Sequence, residues 1–441
     1  MKSPNFFIGP MSKNIVDSII DFSERNSVKI GLIPSRRQVE NTGGYVNGWK
    51  TDEFCKYVRS RSKNIVLVRD HAGPSQGQVD DDGIDSFKSD CEIFDCIHVD
   101  VWKKHQDYED GLKKTIEFIE LGYSINPDLT YEVGTEEAIR KFTDVELGKL
   151  LNDLRENLTA DLFSRIKYAV VQSGTGLLMN TNIGKYDGNR LSEMVSVVEK
   201  FGLISKEHNG DYISNEVIES KFQKGLDCIN IAPEFGQIET KVILDKILAS
   251  GREDLFDLFF SVCLDSKKWT KWVSPDFIPE SNKLELINIC GHYVFSTHEL
   301  EAIKNNFPGI DEEIKSAITD KLFSLLSVKE EKNLSSLRKY FYLFSKRDAD
   351  GLSKIYSDDV TLKDWEIESM GKQDVVSANQ KIFDSVESID ARIISIYKMK
   401  DKEEYSCEIM LMVNGKDIIN VIDLIGFDDS GLINKIKAFK I

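Results

Sequence analysis

The run Asn64-Ile-Val-Leu-Val-Arg-Asp-His-Ala-Gly-Pro-Ser-Gln-Gly77 decides the fold: a β-branched apolar core, Ile65 to Val68, stops abruptly at Arg69, Asp70 and His71. That core shows no alternation of apolar and polar residues, which predicts a strand covered on both faces, as in a parallel sheet. In parallel α/β folds chemistry gathers at the carboxyl ends of the strands, so the polar triplet stands where a site belongs. Gly73, Pro74 and Gly77 then force a loop. Read alone, the stretch also admits a plainer structure, with Asp70 capping the next helix and His71 packed in the core.

The same grammar recurs on both sides. Ser12 to Arg25 has helical spacing through Ile15, Ile19, Ile20 and Phe22, with Ser12 as its cap, and Val28 to Ile33 follows as a strand ending at Pro34, Ser35, Arg36 and Arg37. Thr51 to Arg61 is a second helix. Downstream strands are predicted at Ile93 to Val99, Leu129 to Val133, Ile166 to Gln172, Leu203 to Glu207 and Cys228 to Ile231. Helices are predicted at Asp107 to Leu121 and Arg190 to Phe201. Seven strands joined by helices form too long a series for a three-layer nucleotide fold and predict a (β/α)8 TIM barrel. The eighth strand is expected between Val242 and Leu300, without a defined position, and the aromatic-rich stretch Asp254 to Phe295 is expected to close the barrel with helices.

A chain of 441 residues suits such a barrel plus a small second domain. The charged stretch Lys329 to Leu334 separates residues 1–330, the barrel, from residues 335–441. The net charge of -17 argues against a nucleic-acid partner or an anionic membrane surface, while leaving room for a local basic pocket. No apolar run has the length to cross a bilayer, and Met1 to Pro10 lacks the pattern of a secretory signal, so the expected location is the cytoplasm. Seven scattered cysteines without a CxxC pair point to reduced, packed thiols and argue against a cysteine zinc cluster.

Gly43-Gly-Tyr45, Asp70-His-Ala-Gly-Pro74, Ile97-His-Val-Asp100, Glu132-Val-Gly-Thr-Glu136, Val171-Gln-Ser-Gly174, Glu207-His-Asn-Gly-Asp-Tyr212 and Asn230-Ile-Ala-Pro233 occur in this order over roughly the first 300 residues. Together they resemble the class II tagatose-bisphosphate aldolase family, above all its non-catalytic accessory subunit. The resemblance implies a divalent metal, zinc in the family, at the barrel mouth, with His71 and His208 matching two ligand positions. The third ligand position falls on Gln172, a poor zinc ligand beside imidazole and a feature shared with accessory subunits. Glu132 matches a glutamate that approaches the metal and can complete a weaker site. Asp70 matches the general acid/base of the aldol step, and Asn230 the asparagine that supports the substrate oxygen.

Beside the resemblance, Ser173-Gly174 and Asn209-Gly210 can present backbone N–H groups to a substrate phosphate, and Arg36 and Arg37 can add charge there. His98, followed by Asp100, is read as part of a packed strand layer. His105, His292 and His298 are read as structural, and Asp80 to Asp82 as a solvated loop.

The last hundred residues predict a helix through Tyr340, Phe341 and Phe344, then Asp348 to Ile355, a strand at Val360 to Ile367 and a helix at Asp374 to Phe383. Strands follow at Ile389 to Met399, Glu404 to Val413, Asp417 to Phe427 and Ile433 to Phe439, with Asn414-Gly415 a hairpin signal. This order resembles the nuclear transport factor 2-like, or ketosteroid-isomerase-like, α+β cone. Catalytic members of that group use a pocket acid, for which Asp364, Glu366 and Asp423 are the candidates; the expected role here is assembly of a homo-oligomer.

Three functions stay open. One is a metal-assisted sugar-phosphate aldolase. The second is a non-catalytic subunit stabilising an aldolase partner chain, which Gln172 favours. The third is a sugar-phosphate isomerase or epimerase.

Overall fold

The computed structural model describes residues 3–179 and 181–441. Eight parallel strands close into a barrel: β1 Phe6–Ile8, β2 Ile30–Leu32, β3 Ile65–Ala72, β4 Cys96–Val99, β5 Thr130–Val133, β6 Ile166–Val171, β7 Ile204–Glu207 and β8 Cys228–Ile231. Each strand pairs with the next in the chain, and β8 pairs back onto β1 with Phe7 opposite Asn230. The eighth strand is therefore Phe6–Ile8 ahead of the first helix, not a segment between Val242 and Leu300, which is helical or irregular. Its three residues are buried. β1 closes the ring on both sides because β2 offers a glycine: a Cβ on Gly31 would stand 1.9 Å from the Phe7 ring.

Helices follow as the spacing predicts, at Lys13–Asn26, Thr51–Arg59, Tyr108–Ile125 and Gly188–Lys200. Ser12 caps the first, accepting from the Ile15 amide at 3.1 Å. A helix at Asp144–Asn157, which the sequence reading passed over, carries a capping box: Thr143 accepts from the Glu146 amide, and Glu146 accepts from the Thr143 amide. A packed interior, with Phe7 edge-on to Tyr168 at 5.7 Å, fills the barrel below the mouth.

Internal packing divides the chain into two compact units, residues up to 20 with 29–321, and residues 21–28 with 322–441. The second unit carries a six-stranded sheet. Its strands are β9 Tyr356–Lys363, β10 Glu368–Met370, β11 Ile389–Lys398, β12 Glu404–Val413, β13 Asp417–Phe427 and β14 Ile433–Lys440, in the order β10-β9-β14-β13-β12-β11. Helices Lys332–Ser345, Ala349–Ile355 and Lys372–Asp384 share its core through Leu337, Phe341, Leu352, Val375 and Phe383. Asn414 and Gly415 take left-handed φ values of 52° and 67° between β12 and β13. The strand predicted at Val360 to Ile367 breaks at a turn, where Asp364 accepts from the Glu366 amide at 2.6 Å and the Ile367 amide at 2.5 Å. Asp364 is thus a turn cap and Glu366 is exposed, which leaves Asp423 as the buried acid of the three.

Among the described residues no helix is long and apolar enough to cross a membrane. All seven cysteines are buried and free.

Candidate active site

The site begins with the end of β3. Arg69 is wholly buried on the helix side of the sheet, doubly bonded to Asp90 at 2.8 and 2.7 Å and donating to the carbonyls of Pro34 and Val39. Beyond it the register with β4 shifts between Arg69 and Ala72, and His71 takes a left-handed φ of 48°. Strict alternation would send Asp70 and His71 to opposite faces; this irregularity brings both to the barrel mouth. A left-handed histidine is a strained backbone held by its surroundings, a feature that clusters at functional sites.

Two more histidines meet His71. His98 on β4 is fully buried, and His208 follows β7; ring centroids lie 5.0 Å apart for His71 and His98, 5.3 Å for His71 and His208, and 4.9 Å for His98 and His208. His71 and His208 are each fixed through one nitrogen, and His98 through both, its Nδ1 accepting from the His71 amide at 3.4 Å. His71 Nδ1 is 2.6 Å from Asp100 Oδ2, His98 Nε2 is 3.0 Å from the Gly134 carbonyl, and His208 Nε2 is 2.8 Å from Glu132 Oε1. The other nitrogens converge on Asp70: His71 Nε2 at 3.7 Å, and His98 Nδ1 and His208 Nδ1 at 3.8 Å each. One donor atom from each of Asp70, His71, His98 and His208 lies within 4.8 Å of all the others.

This donor set fits a divalent metal. Metal-bound imidazoles characteristically give their second nitrogen to a carboxylate or carbonyl, which is what Asp100, Gly134 and Glu132 receive here. Asp70 Oδ1 is buried without a hydrogen-bond partner, as are both amide atoms of Asn230 and the hydroxyl of Thr135. Such orphaned polar atoms are costly unless something else meets them.

The electrostatics follow from the crowding. Burial alone would raise the Asp70 carboxyl, but the charges of His71, His208 and His98 outweigh it and hold it far below the usual carboxylate range. Burial opposes a charged His71, yet Asp70 and Asp100 overcome it and raise the imidazole to about 10. Glu132 is likewise held ionised against burial, chiefly by Lys206, whose ammonium is 2.6 Å from Oε2 and fully buried.

Several sequence expectations change in detail. Glu132 spends both oxygens on His208 and Lys206, so it orients a ring instead of facing the donor cluster. Gln172 stands apart from that cluster: its oxygen accepts from the Phe142 amide and Arg190, and its nitrogen donates to the Thr135 and Arg140 carbonyls. His98 is buried in its strand layer as expected, and it is also one of the four residues whose donor atoms converge. Its signal was present, because Ile97-His-Val-Asp100 at period two turns His98 and Asp100 to one face.

The expected phosphate cradle is largely spent within the protein. The Ser173 amide donates to Glu207, and its hydroxyl is bonded to Glu207 and Lys221. Gly174 is a tight turn, φ 86°, where a Cβ would meet the Lys185 carbonyl. The Gly210 amide donates to the Asn230 carbonyl at 2.8 Å. Arg36 is buried against Glu40 and Asp81 and donates to the Gly73 carbonyl, so Asp81, expected as solvated, latches the loop after β3. Arg37 and Asn209 do line the cavity, of about 390 Å³, that contains Asp70 and His71.

No protein-family model matches this sequence, and no curated protein matches it. Solved structures share its fold. A probable tagatose 6 phosphate kinase from Sinorhizobium meliloti 1021 has 17% identity and a TM-score of 0.57, over 86% of this chain and 98% of its own. The fructuronate-tagaturonate epimerase UxaE from Cohnella laeviribosi has 10% identity and a TM-score of 0.54, over 74% of this chain and 81% of its own. An NTF2-like protein from Cytophaga hutchinsonii aligns 26% of this chain with 94% of its own, at 10% identity and a TM-score of 0.22. At these identities the likeness to the first two is one of fold.

Proposed function

We propose that this chain is a metal-assisted enzyme acting on a phosphorylated sugar, and that its reaction is aldol cleavage or condensation of a ketose phosphate. One observation carries the reading: three imidazoles, held by Asp100, the Gly134 carbonyl and Glu132, each bring their other nitrogen within 3.8 Å of Asp70, His98 and His208 toward its buried, unpartnered Oδ1 and His71 toward Oδ2. A divalent ion, zinc in the first place, held by His71, His98 and His208 would stabilise negative charge developing on a substrate oxygen. Asp70, placed beside the three rings on the cavity wall, accepts the proton of the substrate hydroxyl as the adjacent carbon–carbon bond breaks, and returns it in condensation. Asn230, with both amide atoms uncommitted, supports a substrate oxygen. Glu132 and Asp100 act through the rings they hold.

Epimerisation is the second reading, since it needs the same acid/base and the same charge stabilisation. The fold shared with the tagaturonate epimerase supports it. The non-catalytic reading rested on Gln172, which proves to be a strut for the 135–142 loop, while His98 supplies a third imidazole. The C-terminal sheet, with Ile394, Tyr397, Ile418 and Phe439 exposed, is assigned to assembly of like chains.

Elemental analysis of the purified protein and of His98→Ala is the test. The expected result is a stoichiometric divalent metal in the wild type and its loss in the variant. A wild type that takes up no ion after incubation with zinc or manganese would remove the metal-assisted reading, and retention of metal by His98→Ala would remove the ligand set.

A further inference from the structure

We propose that Arg37, Lys103 and Lys271 form an anion subsite that grips the terminal phosphate or carboxylate of the substrate, in the cavity that holds Asp70 and His71. The proposal deepens the reading of this cavity as a sugar site, and it rests on that reading.

The three cations come from separate parts of the chain: the loop after β2, the loop after β4, and the irregular stretch between helices Glu253–Ser266 and Lys283–Cys290. All three line one cavity of about 390 Å³, a volume suited to a small sugar with a charged end. Among the described residues none of the three has a carboxylate within ion-pair distance. Their contacts are neutral: Arg37 Nε donates to the Gly77 carbonyl at 3.2 Å, Lys103 Nζ to the Ser75 carbonyl at 2.5 Å, and Lys271 Nζ lies 4.2 Å from the Trp272 ring centroid. In a chain with 74 acidic residues against 57 basic ones, three such cations around one cavity call for a reason. The adjacent Arg36 shows the contrast, being saturated by Glu40 and Asp81.

Electrostatics make the arrangement costly without an anion. Lys271 is exposed on the cavity side, and the protein crowded around its ammonium, with the like charges of Arg37, Lys268 and Lys103 prevailing over Glu136, brings it down to about 8. Lys103 is lowered too, by burial first and then by Arg37. Two acids share the cavity wall: Asp70 faces the three histidines, and Glu136 is engaged by the Asn209 side-chain amide at 2.8 Å. A phosphate or carboxylate placed among the three cations relieves their repulsion and adds charge-assisted hydrogen bonds. The backbone amides of Ser173 and Gly210, spent within the protein, leave this role to side chains.

The test is calorimetric titration of the full chain with inorganic phosphate and, separately, with glycolate. Metal content and thermal melting are followed in Lys271→Met, Arg37→Met and, should either fail to fold, Lys103→Met. The expected result is that one anion binds the wild type and that each folded variant weakens it by roughly tenfold or more with metal content unchanged. The tighter of the two anions identifies phosphate or carboxylate as the group recognised. Binding of neither anion, or affinity unchanged in the variants, overturns the subsite. So does binding lost in His98→Ala but kept in Lys271→Met, which places the anion at the histidines. If the wild type holds no metal yet loses phosphate in Lys271→Met, the subsite stands and the metal-assisted reading falls.

Discussion

Lys206 shows how one residue sets the geometry of the site from below. Its buried ammonium balances Glu132, which in turn fixes His208, so the three form a hydrogen-bonded chain inside the barrel. Removing one partner of a buried pair leaves a charge uncompensated, and Lys206→Met is expected to cost about 3–5 kcal/mol. The double variant Lys206→Met/Glu132→Gln should recover part of that loss in denaturant melts. No recovery would mean that the lysine acts by packing against the Phe7 ring, 4.1 Å away, and not by charge. A second residue-scale prediction concerns Asp423, which burial, then Asp364, raises to about 7, with Oδ1 unpartnered. Between the ordinary carboxylate range and about 7 the folded chain binds more protons here than the unfolded chain, so this group's contribution to stability falls as pH rises through that window. Asp423→Asn should raise Tm at pH 8 relative to wild type and flatten its dependence between pH 5 and 8; parallel curves for the two proteins would remove the idea. At this scale the sequence was legible where a polar residue broke an apolar strand, as at Asp70, His71 and His208. It was less so where the polar residue lay within the strand: His98 looks like packing until its ring is seen to meet two others, and Lys206 gives no sign of being buried.

Among the elements, β1 carries the most for its length. Three residues pair with two neighbours and complete the ring, and Phe7 reaches the barrel interior against Tyr168. Phe7→Ala leaves a cavity between β1, β2 and β6 and is expected to cost about 3–5 kcal/mol, read as a lowered denaturation midpoint. A cost under about 1 kcal/mol would mean that closure does not depend on this side chain. The strand escaped sequence reading because three apolar residues ahead of a helix carry no periodicity, and because a series of seven invites a search beyond the seventh. β3 and β6 were legible from their largely apolar runs, which follow from burial on both faces, whereas β7, Ile204-Ser-Lys-Glu207, carries no such run. β3 is the instructive case: the apolar run ends at Val68, yet the strand continues to Ala72, since Arg69 is paid for by Asp90 on the helix side. A buried salt bridge inside a strand has no hydropathy signature.

For the whole molecule, charge and surface pull in opposite directions. A net charge of -17 keeps like chains apart, yet the C-terminal sheet leaves Ile394, Tyr397, Ile418 and Phe439 substantially exposed on β11, β13 and β14. The composition showed the first feature and the alternation of β11 to β14 showed only half of the second, because an outward apolar residue is indistinguishable from an inward one until the register is known. We expect the apolar sheet to prevail, giving a dimer or larger assembly at micromolar concentration in moderate salt, where screening weakens the repulsion. Ile418→Glu with Tyr397→Lys should lower the mass found by analytical ultracentrifugation toward the 50.2 kDa of one chain without lowering Tm, since both side chains are exposed and contribute little to the core. A wild type already sedimenting as one chain, or a variant that keeps the wild-type mass, would take the sheet out of assembly. The buried Asp423 would then be the first place to seek a purpose for this domain, because its unpartnered oxygen remains to be explained whatever covers the sheet.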